Sequence, residues 1–109
     1  MIDDAEKTER LIALIQAHLP FEVRLAPVLL RQLKAQSVAA ASAPRHIVRG
    51  VSYAGDEGGI ICQVDSGDGR EGLFVSLTHL LVPATVPVAP EAATYQKHRI
   101  KKLKKLHGA

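Results

Sequence analysis

The sequence predicts a small α+β protein: two N-terminal helices packed on a three-stranded antiparallel β-meander, followed by a basic C-terminal helix. Three features of the 109-residue chain predict this fold class. Apolar residues recur at helical spacing near the N-terminus, three β-branched segments separated by turn formers occupy the middle, and lysines cluster near the C-terminus. A chain of this length supports one domain, so we expect a single α+β domain over residues 1–90 and a basic helix over residues 91–109.

The first helix is predicted over residues 3–19. Its apolar residues recur with a period near 3.6, and its polar residues fill the opposite face. Asp3 and Glu6 have the spacing of a capping box, in which the first residue caps the helix. Pro20 ends the helix, because proline has no N–H to continue the hydrogen-bond ladder.

Residues 21–26 fit two patterns, and the sequence does not decide between strand and helix. Their apolar and charged residues alternate as in a strand, but some of the same apolar residues also continue the face of a following helix. Pro27 suits a first helical turn, so we predict a second helix over about residues 27–36. Residues 37–45 then form a connector.

The middle of the chain predicts the sheet. Residues 46–54, 60–65 and 72–77 are rich in β-branched or aromatic residues, and glycine-rich turns at Gly55–Gly59 and 66–71 separate them. Such short connections predict hairpins, with the N-terminal helices covering one face of the sheet. Because exposed sheet edges can pair with another chain, edge pairing is one route to a predicted homodimer.

The end of the chain predicts an extended segment and then a basic helix. Three prolines make residues 83–90 extended, and residues 91–107 have good helix propensity. A narrow stripe runs along this helix and is surrounded by basic residues. The stripe comprises Gln96, Ile100, Leu103 and either Leu106 or His107.

The charge of the chain is divided unevenly along its length. Residues 1–91 have eight Lys/Arg and eleven Asp/Glu, a formal charge of −3, whereas residues 92–109 have six Lys/Arg and no acid. Clustered cations that contact phosphates are typical of sequence-independent nucleic-acid binding. The leading hypothesis is therefore a non-enzymatic, nucleic-acid-associated module. Its candidate phosphate contacts are Lys97, Arg99, Lys101, Lys102, Lys104 and Lys105.

The alternative hypothesis is a protein-interaction or self-assembling module. Here Ile100, Leu103 and Leu106 form the contact, and the basic helix packs on its own acidic body, on a second copy in a homodimer, or on another protein. The acids clustered at the strand ends could dock such a basic segment. A membrane-surface helix fits less well, because the stripe is narrow and lacks Trp and Phe.

Catalytic residues and metal ligands are not predicted. The five histidines and Cys62 show no metal-ligand spacing, so we expect neither a metal nor a cofactor. A small enzyme would need His46, His79 and Cys62 to converge in one concave site, and the sequence does not say whether they do. Gly55–Gly59 lacks the Gly-Lys-Ser/Thr ending of a phosphate loop and leads into a strand, which favours the hairpin.

The sequence also predicts the compartment. A single cysteine excludes an intramolecular disulfide, and the acidic N-terminus lacks the basic start of a secretory signal. The longest stretch free of charged residues, from Gly72 to Pro90, contains three prolines and makes a poor membrane helix. We therefore expect a cytoplasmic protein without a membrane span.

Overall fold

The computed structural model describes residues 3–37, 41, 45–65 and 72–106. These residues form three α-helices and a five-stranded antiparallel sheet, with single 3₁₀ turns at Gly55–Glu57 and Leu77–His79. The elements in chain order are α1 (Ala5–His18), β1 (Phe21–Leu25), α2 (Pro27–Ala35), β2 (His46–Tyr53), β3 (Ile60–Asp65), β4 (Gly72–Ser76), β5 (Leu80–Leu81) and α3 (Ala89–Leu106).

The sheet has five strands in the order β4-β3-β2-β1-β5, so the prediction of a three-stranded meander under two N-terminal helices is wrong. The three predicted strands are β2, β3 and β4, and they pair antiparallel as consecutive neighbours. Two further strands, β1 and β5, extend the sheet on the other side of β2. Only α1 precedes the sheet in sequence, because α2 lies between β1 and β2.

Strand β1 settles the ambiguity of residues 21–26. Phe21, Val23 and Leu25 are buried while the residues between them are exposed, which is the alternation of a half-buried strand. Pairing on both sides fixes the strand, with Val23 opposite His46 and Leu25 opposite Leu80. Tertiary pairing thus selects one of two local patterns that the sequence allows equally.

The predicted hairpin at Gly55–Gly59 is confirmed. Tyr53 at the end of β2 pairs with Ile60 at the start of β3, and the turn closes with a hydrogen bond from the Ala54 N–H to the Gly59 carbonyl at 2.8 Å. The predicted turn at 66–71 and most of the connector at 37–45 lie outside the described residues.

The core lies on one face of the sheet, beneath α1 and the first turns of α3. No residue of α2 is buried, although three of its leucines are partly buried against the core. Since α2 supplies so little, α1 and α3 are the helices that cover the sheet. The buried residues that meet in this core include Leu11 and Ile15 of α1, Val48, Ile60, Cys62, Val64 and Val75 of the sheet, and Val88 and Ala92 at the start of α3.

Helix α1 is capped one residue later than predicted. The Asp4 carboxylate, not that of Asp3, accepts the Lys7 backbone N–H at 2.9 Å. This hydrogen bond lowers the pKa of Asp4, because it stabilises the charged carboxylate. Asp3 is thereby left for another role, and it is buried. Among the described helices, none is both long and apolar enough to cross a membrane.

Candidate functional site

A buried ion pair joins the two ends of the described chain. Arg99 and Asp3 are only 2% and 4% exposed, and the Arg99 Nη1 donates to both carboxylate oxygens of Asp3, at 3.1 and 3.0 Å. The second guanidinium nitrogen, Nη2, donates to the backbone carbonyl of Asp56 at 2.6 Å. Arg99 therefore ties α3 to the segment before α1 and to the β2–β3 turn.

Two tyrosine hydroxyls complete the environment of the Asp3 carboxylate. The hydroxyls of Tyr53 and Tyr95 donate to Oδ2 at 2.9 and 3.0 Å. The Tyr95 oxygen also accepts the backbone N–H of Ile60 at 3.0 Å. Among the described residues, no buried side-chain nitrogen or oxygen lacks a hydrogen-bond partner. We call these four side chains the anchor cluster: Asp3, Tyr53, Tyr95 and Arg99.

Gly59 makes room for the anchor cluster. Its φ is +67°, a left-handed conformation that favours glycine. A Cβ at this position would overlap the Tyr95 hydroxyl and lie 2.9 Å from Cζ and Nε of Arg99. Gly55 has a similar φ of +72° but open space around it. Position 59 therefore requires glycine both for its left-handed backbone and for the lack of space for a side chain. Position 55 requires glycine only for its backbone.

A second attachment holds α3 against the end of the sheet. The Gln96 Nε2 donates to the carbonyls of Leu77 and Leu80, at 2.7 and 2.6 Å. Val88 and Ala92 are fully buried in the core close to the start of the helix. The inner face of α3 is therefore fixed at its start, at its middle and at Arg99.

The position of Arg99 corrects the predicted stripe of α3. Arg99 lies on the inner face, whereas Ile100 is 42% exposed and Leu103 is partly buried. Gln96 and Leu103 of the predicted stripe do lie on the inner side, but Arg99 joins them in place of Ile100, because the ion pair with Asp3 makes burial of an arginine possible. The side chain of Leu106 lies outside the described residues.

The predicted phosphate contacts are divided between two environments. Arg99 is buried and bound to Asp3, so its guanidinium faces the interior and not a ligand. The remaining cations are exposed, and none of them forms an ion pair with a described residue. These exposed cations are Lys97, Lys101, Lys102, Lys104 and Lys105.

Four of these lysines share the outward face of α3. At 100° per residue, the spacing i, i+4, i+7, i+8 places them on one side of the helix, opposite Arg99. Lys102 lies apart from them, on the flank beside α1, where it lines a groove between the two helices. We call the four outward side chains the lysine face: Lys97, Lys101, Lys104 and Lys105.

Two of the acidic residues at the strand ends make contacts within the fold, whereas Asp68 and Glu71 lie outside the described residues. The Asp65 carboxylate pairs with Nε of Arg49 at 2.6 Å. Asp56 contributes its backbone carbonyl to Arg99. In the described part of the chain, the carboxylate that receives the basic helix is therefore that of Asp3, near the N-terminus, and not one in the predicted turns.

The other candidate residues do not form one site. Cys62 is fully buried and pairs with Val51, which lies five residues along β2 from His46, or about 16 Å at strand spacing. Burial raises the pKa of the Cys62 thiol to about 12, which disfavours the reactive thiolate. His79 is exposed. Among the described residues, no group of three or more potential ligands could hold a metal ion.

Sequence reasoning misses three members of the anchor cluster and Gly59. The local pattern makes Asp3 a helix cap and gives the two tyrosines no role. One signal is present: Arg99 lies four residues after Tyr95 and seven after Ala92, on the same helical face. Its partner 96 residues away cannot be read from local spacing.

The paired glycines provide a direct test of the anchor cluster. We expect Gly55→Ala to lower the free energy of unfolding by about 1–2 kcal/mol, because its only cost is the left-handed backbone. Gly59→Ala has the same backbone cost and also displaces the buried tyrosine and arginine, so we expect at least about 2 kcal/mol more. Urea unfolding of both variants measures the difference, and equal losses would contradict the described packing.

The anchor tyrosines and Cys62 also predict how stability depends on pH. Burial, and then hydrogen bonding to Asp3, raises the pKa of Tyr53 to about 12. Burial is also the main cause that raises the pKa of Tyr95, from its ordinary value of 10. Above the ordinary pKa values, 9 for cysteine and 10 for tyrosine, the unfolded chain loses protons that the folded protein keeps.

The free energy of unfolding should therefore fall as the pH rises from about 9 to about 12, whereas at neutral pH these groups stay protonated in both states and should not make it depend on pH. Urea unfolding at a series of alkaline pH values measures the decline. Cys62→Ala should make the decline in the free energy of unfolding shallower at its onset, near pH 9, and Tyr53→Phe should make it shallower above pH 10. The same decline in both variants and in the unmodified protein would refute this assignment.

Comparison with known proteins gives no relative from which a function could be carried over. No family model, no curated protein and no solved structure matches the chain. The function is therefore inferred from the fold and from the chemistry of its surfaces.

Proposed function

We propose that the protein is a non-enzymatic module that binds nucleic acid through the lysine face of α3. The observation that supports this most strongly is the contrast between the two sides of the helix. The single arginine of α3 is used to hold the helix in place, while the four outward lysines have no ionic partner among the described residues. Exposed cations without ionic partners, on an ordered helix, can bind the phosphates of a nucleic acid.

The spacing of the lysines suits a linear array of negative charges. Successive lysines one turn apart are separated by about 6 Å along the helix axis, so Lys97 and Lys105 span about 12 Å. Neighbouring like charges at i, i+3 and i+4 repel each other and destabilise the helix by a few tenths of a kcal/mol per pair. A polyanion would relieve this repulsion, and the acids that form ion pairs among the described residues, Asp3, Glu22 and Asp65, pair with arginines outside the lysine face.

The anchored helix also lowers the entropy cost of binding. A free basic tail would have to fold as it bound, and this ordering opposes association. Here the inner face of α3 is already held by Gln96 and Arg99, so the lysine face is in place before a partner arrives. The net charge of −3 over residues 1–91 repels a polyanion and thus favours approach from the side of α3.

Contacts between lysine side chains and phosphates carry no direct information about the base sequence. Phosphate contacts give affinity that is independent of sequence and falls steeply with salt, whereas base readout needs side chains that reach groove edges. We therefore propose binding with little sequence preference.

The test compares two variants that each lose three positive charges. The first replaces lysines of the lysine face with glutamine: Lys97→Gln, Lys101→Gln and Lys105→Gln. The control replaces exposed cations elsewhere, which likewise have no ionic partner among the described residues: Arg24→Gln, Arg31→Gln and Lys34→Gln. The probe is a fluorescein-labelled DNA duplex of about 20 base pairs, titrated at several salt concentrations.

We expect the plot of log affinity against log salt concentration to be less steep by about 2 to 3 in the lysine-face variant. The control should keep the slope of the unmodified protein. Equal slopes in the two variants, or no binding by the unmodified protein at low salt, would contradict the proposal. Truncation after residue 91 is not a suitable test, because it removes Tyr95 and Arg99 together with the lysines.

A further inference from the structure

A groove with a volume of about 1050 Å³ lies between α1 and α3 and opens to solvent. Its floor on the α1 side is apolar, with Leu11 buried, Leu14 partly buried, and Ala13 and Ala17 exposed. The α3 side is formed by residues of its first three turns and by Lys102: Pro90, Glu91, Thr94, Tyr95, His98 and Lys102. The lysine face does not line this groove.

Both walls of the groove have cations at their rims. Lys7 and Arg10 stand one turn apart on α1, and Lys102 stands on α3 one turn after His98. The three cations Lys7, Arg10 and Lys102 are exposed, and none forms an ion pair with a described residue.

The acids of the groove offset these cations only in part. Asp3 is paired with Arg99, whereas Asp4 accepts the Lys7 backbone N–H and keeps its negative charge beside Lys7 and Arg10. Asp4 and Glu91 therefore offset two of the three cations that line the groove, Lys7, Arg10 and Lys102. An occupant with an apolar side and negative charge on both flanks would therefore complement the groove.

We propose that this groove binds an amphipathic, acidic helix of a partner protein. An α-helix with its side chains is about 10 Å across, and helices pack at axis separations of about 8–10 Å when the side chains between them are small. The exposed pair Ala13 and Ala17, one turn apart, permits this close approach. An apolar stripe on the partner helix would cover Leu14, and its acidic flanks would meet the cations on both walls.

The chemistry of the groove favours a helix over a nucleic acid. Single-stranded nucleic acid is held by aromatic rings that stack on bases. Two lining residues have aromatic rings, Tyr95 and His98, and that of Tyr95 is partly buried with its hydroxyl bound to Asp3, which leaves at most one exposed ring for stacking. The groove and the lysine face are therefore two sites with different partners, and this inference does not rest on the proposed function.

The test uses a fluorescein-labelled synthetic peptide of about 18 residues that forms an amphipathic helix, with leucines on one face and glutamates on its flanks. A peptide of the same composition in scrambled order is the peptide control. Ala13→Glu places bulk and negative charge in the groove, and Gln16→Glu adds the same charge to an exposed site of α1 outside the groove. Ala17→Glu is a second groove variant, to be used if the thermal unfolding of the first differs from that of the unmodified protein.

We expect Ala13→Glu to weaken peptide binding at least tenfold and Gln16→Glu to weaken it less than twofold, as measured by fluorescence anisotropy. The lysine-face triple variant should keep peptide binding within threefold, and Ala13→Glu should keep DNA binding. Equal effects of the two glutamate variants, equal binding of the scrambled peptide, no binding at millimolar peptide, or loss of binding in the lysine-face variant would each overturn the inference.

Discussion

The burial of the Asp3–Arg99 ion pair is the constraint on which the arrangement of this protein depends. Two charges removed from water must be paired and fully hydrogen-bonded, and here two tyrosine hydroxyls and the Asp56 carbonyl supply the remaining contacts. The net gain from such a pair is modest, because desolvation offsets the attraction. The loss of one partner costs about 3–5 kcal/mol, since the other charge is left buried alone. The pair therefore contributes more to fixing the position of α3 than to the free energy of unfolding.

This constraint gives the two sides of α3 different roles. The inner side packs through Ala92, Gln96 and Arg99 on the sheet end, the β2–β3 turn and the residues before α1. With Arg99 turned inward, the remaining cations of the helix face solvent or the groove beside α1. The basic segment thus packs against the rest of the protein as an ordered helix. Contacts with the body therefore use the inner face and leave the lysine face exposed.

The sequence predicts the local parts of this structure and misses the long-range ones. Helices and hairpin strands with strong periodicity lie close to their predicted positions, because hydrophobic spacing is a local property. Residues 21–25 fit two periods equally, and only pairing with β2 and β5 makes them a strand. The exposure of the lysines follows from their charge, whereas the burial of Arg99 depends on an acid 96 residues away. The local pattern places Gly59 correctly in a turn. Its contact with Tyr95 and Arg99 arises from tertiary packing and cannot be predicted from local sequence.

The anchor cluster should hold α3 as firmly as the strands of the sheet hold one another. Native-state hydrogen exchange tests this directly, by comparing the amides of Tyr95, Gln96 and Arg99 with those of Cys62 and Val64 in β3. We predict that the two groups open with the same free energy, because α3 leaves the sheet only when the whole protein unfolds. Exchange of the α3 amides through a low-energy local opening, while β3 remains protected, would show that the ion pair does not fix the helix.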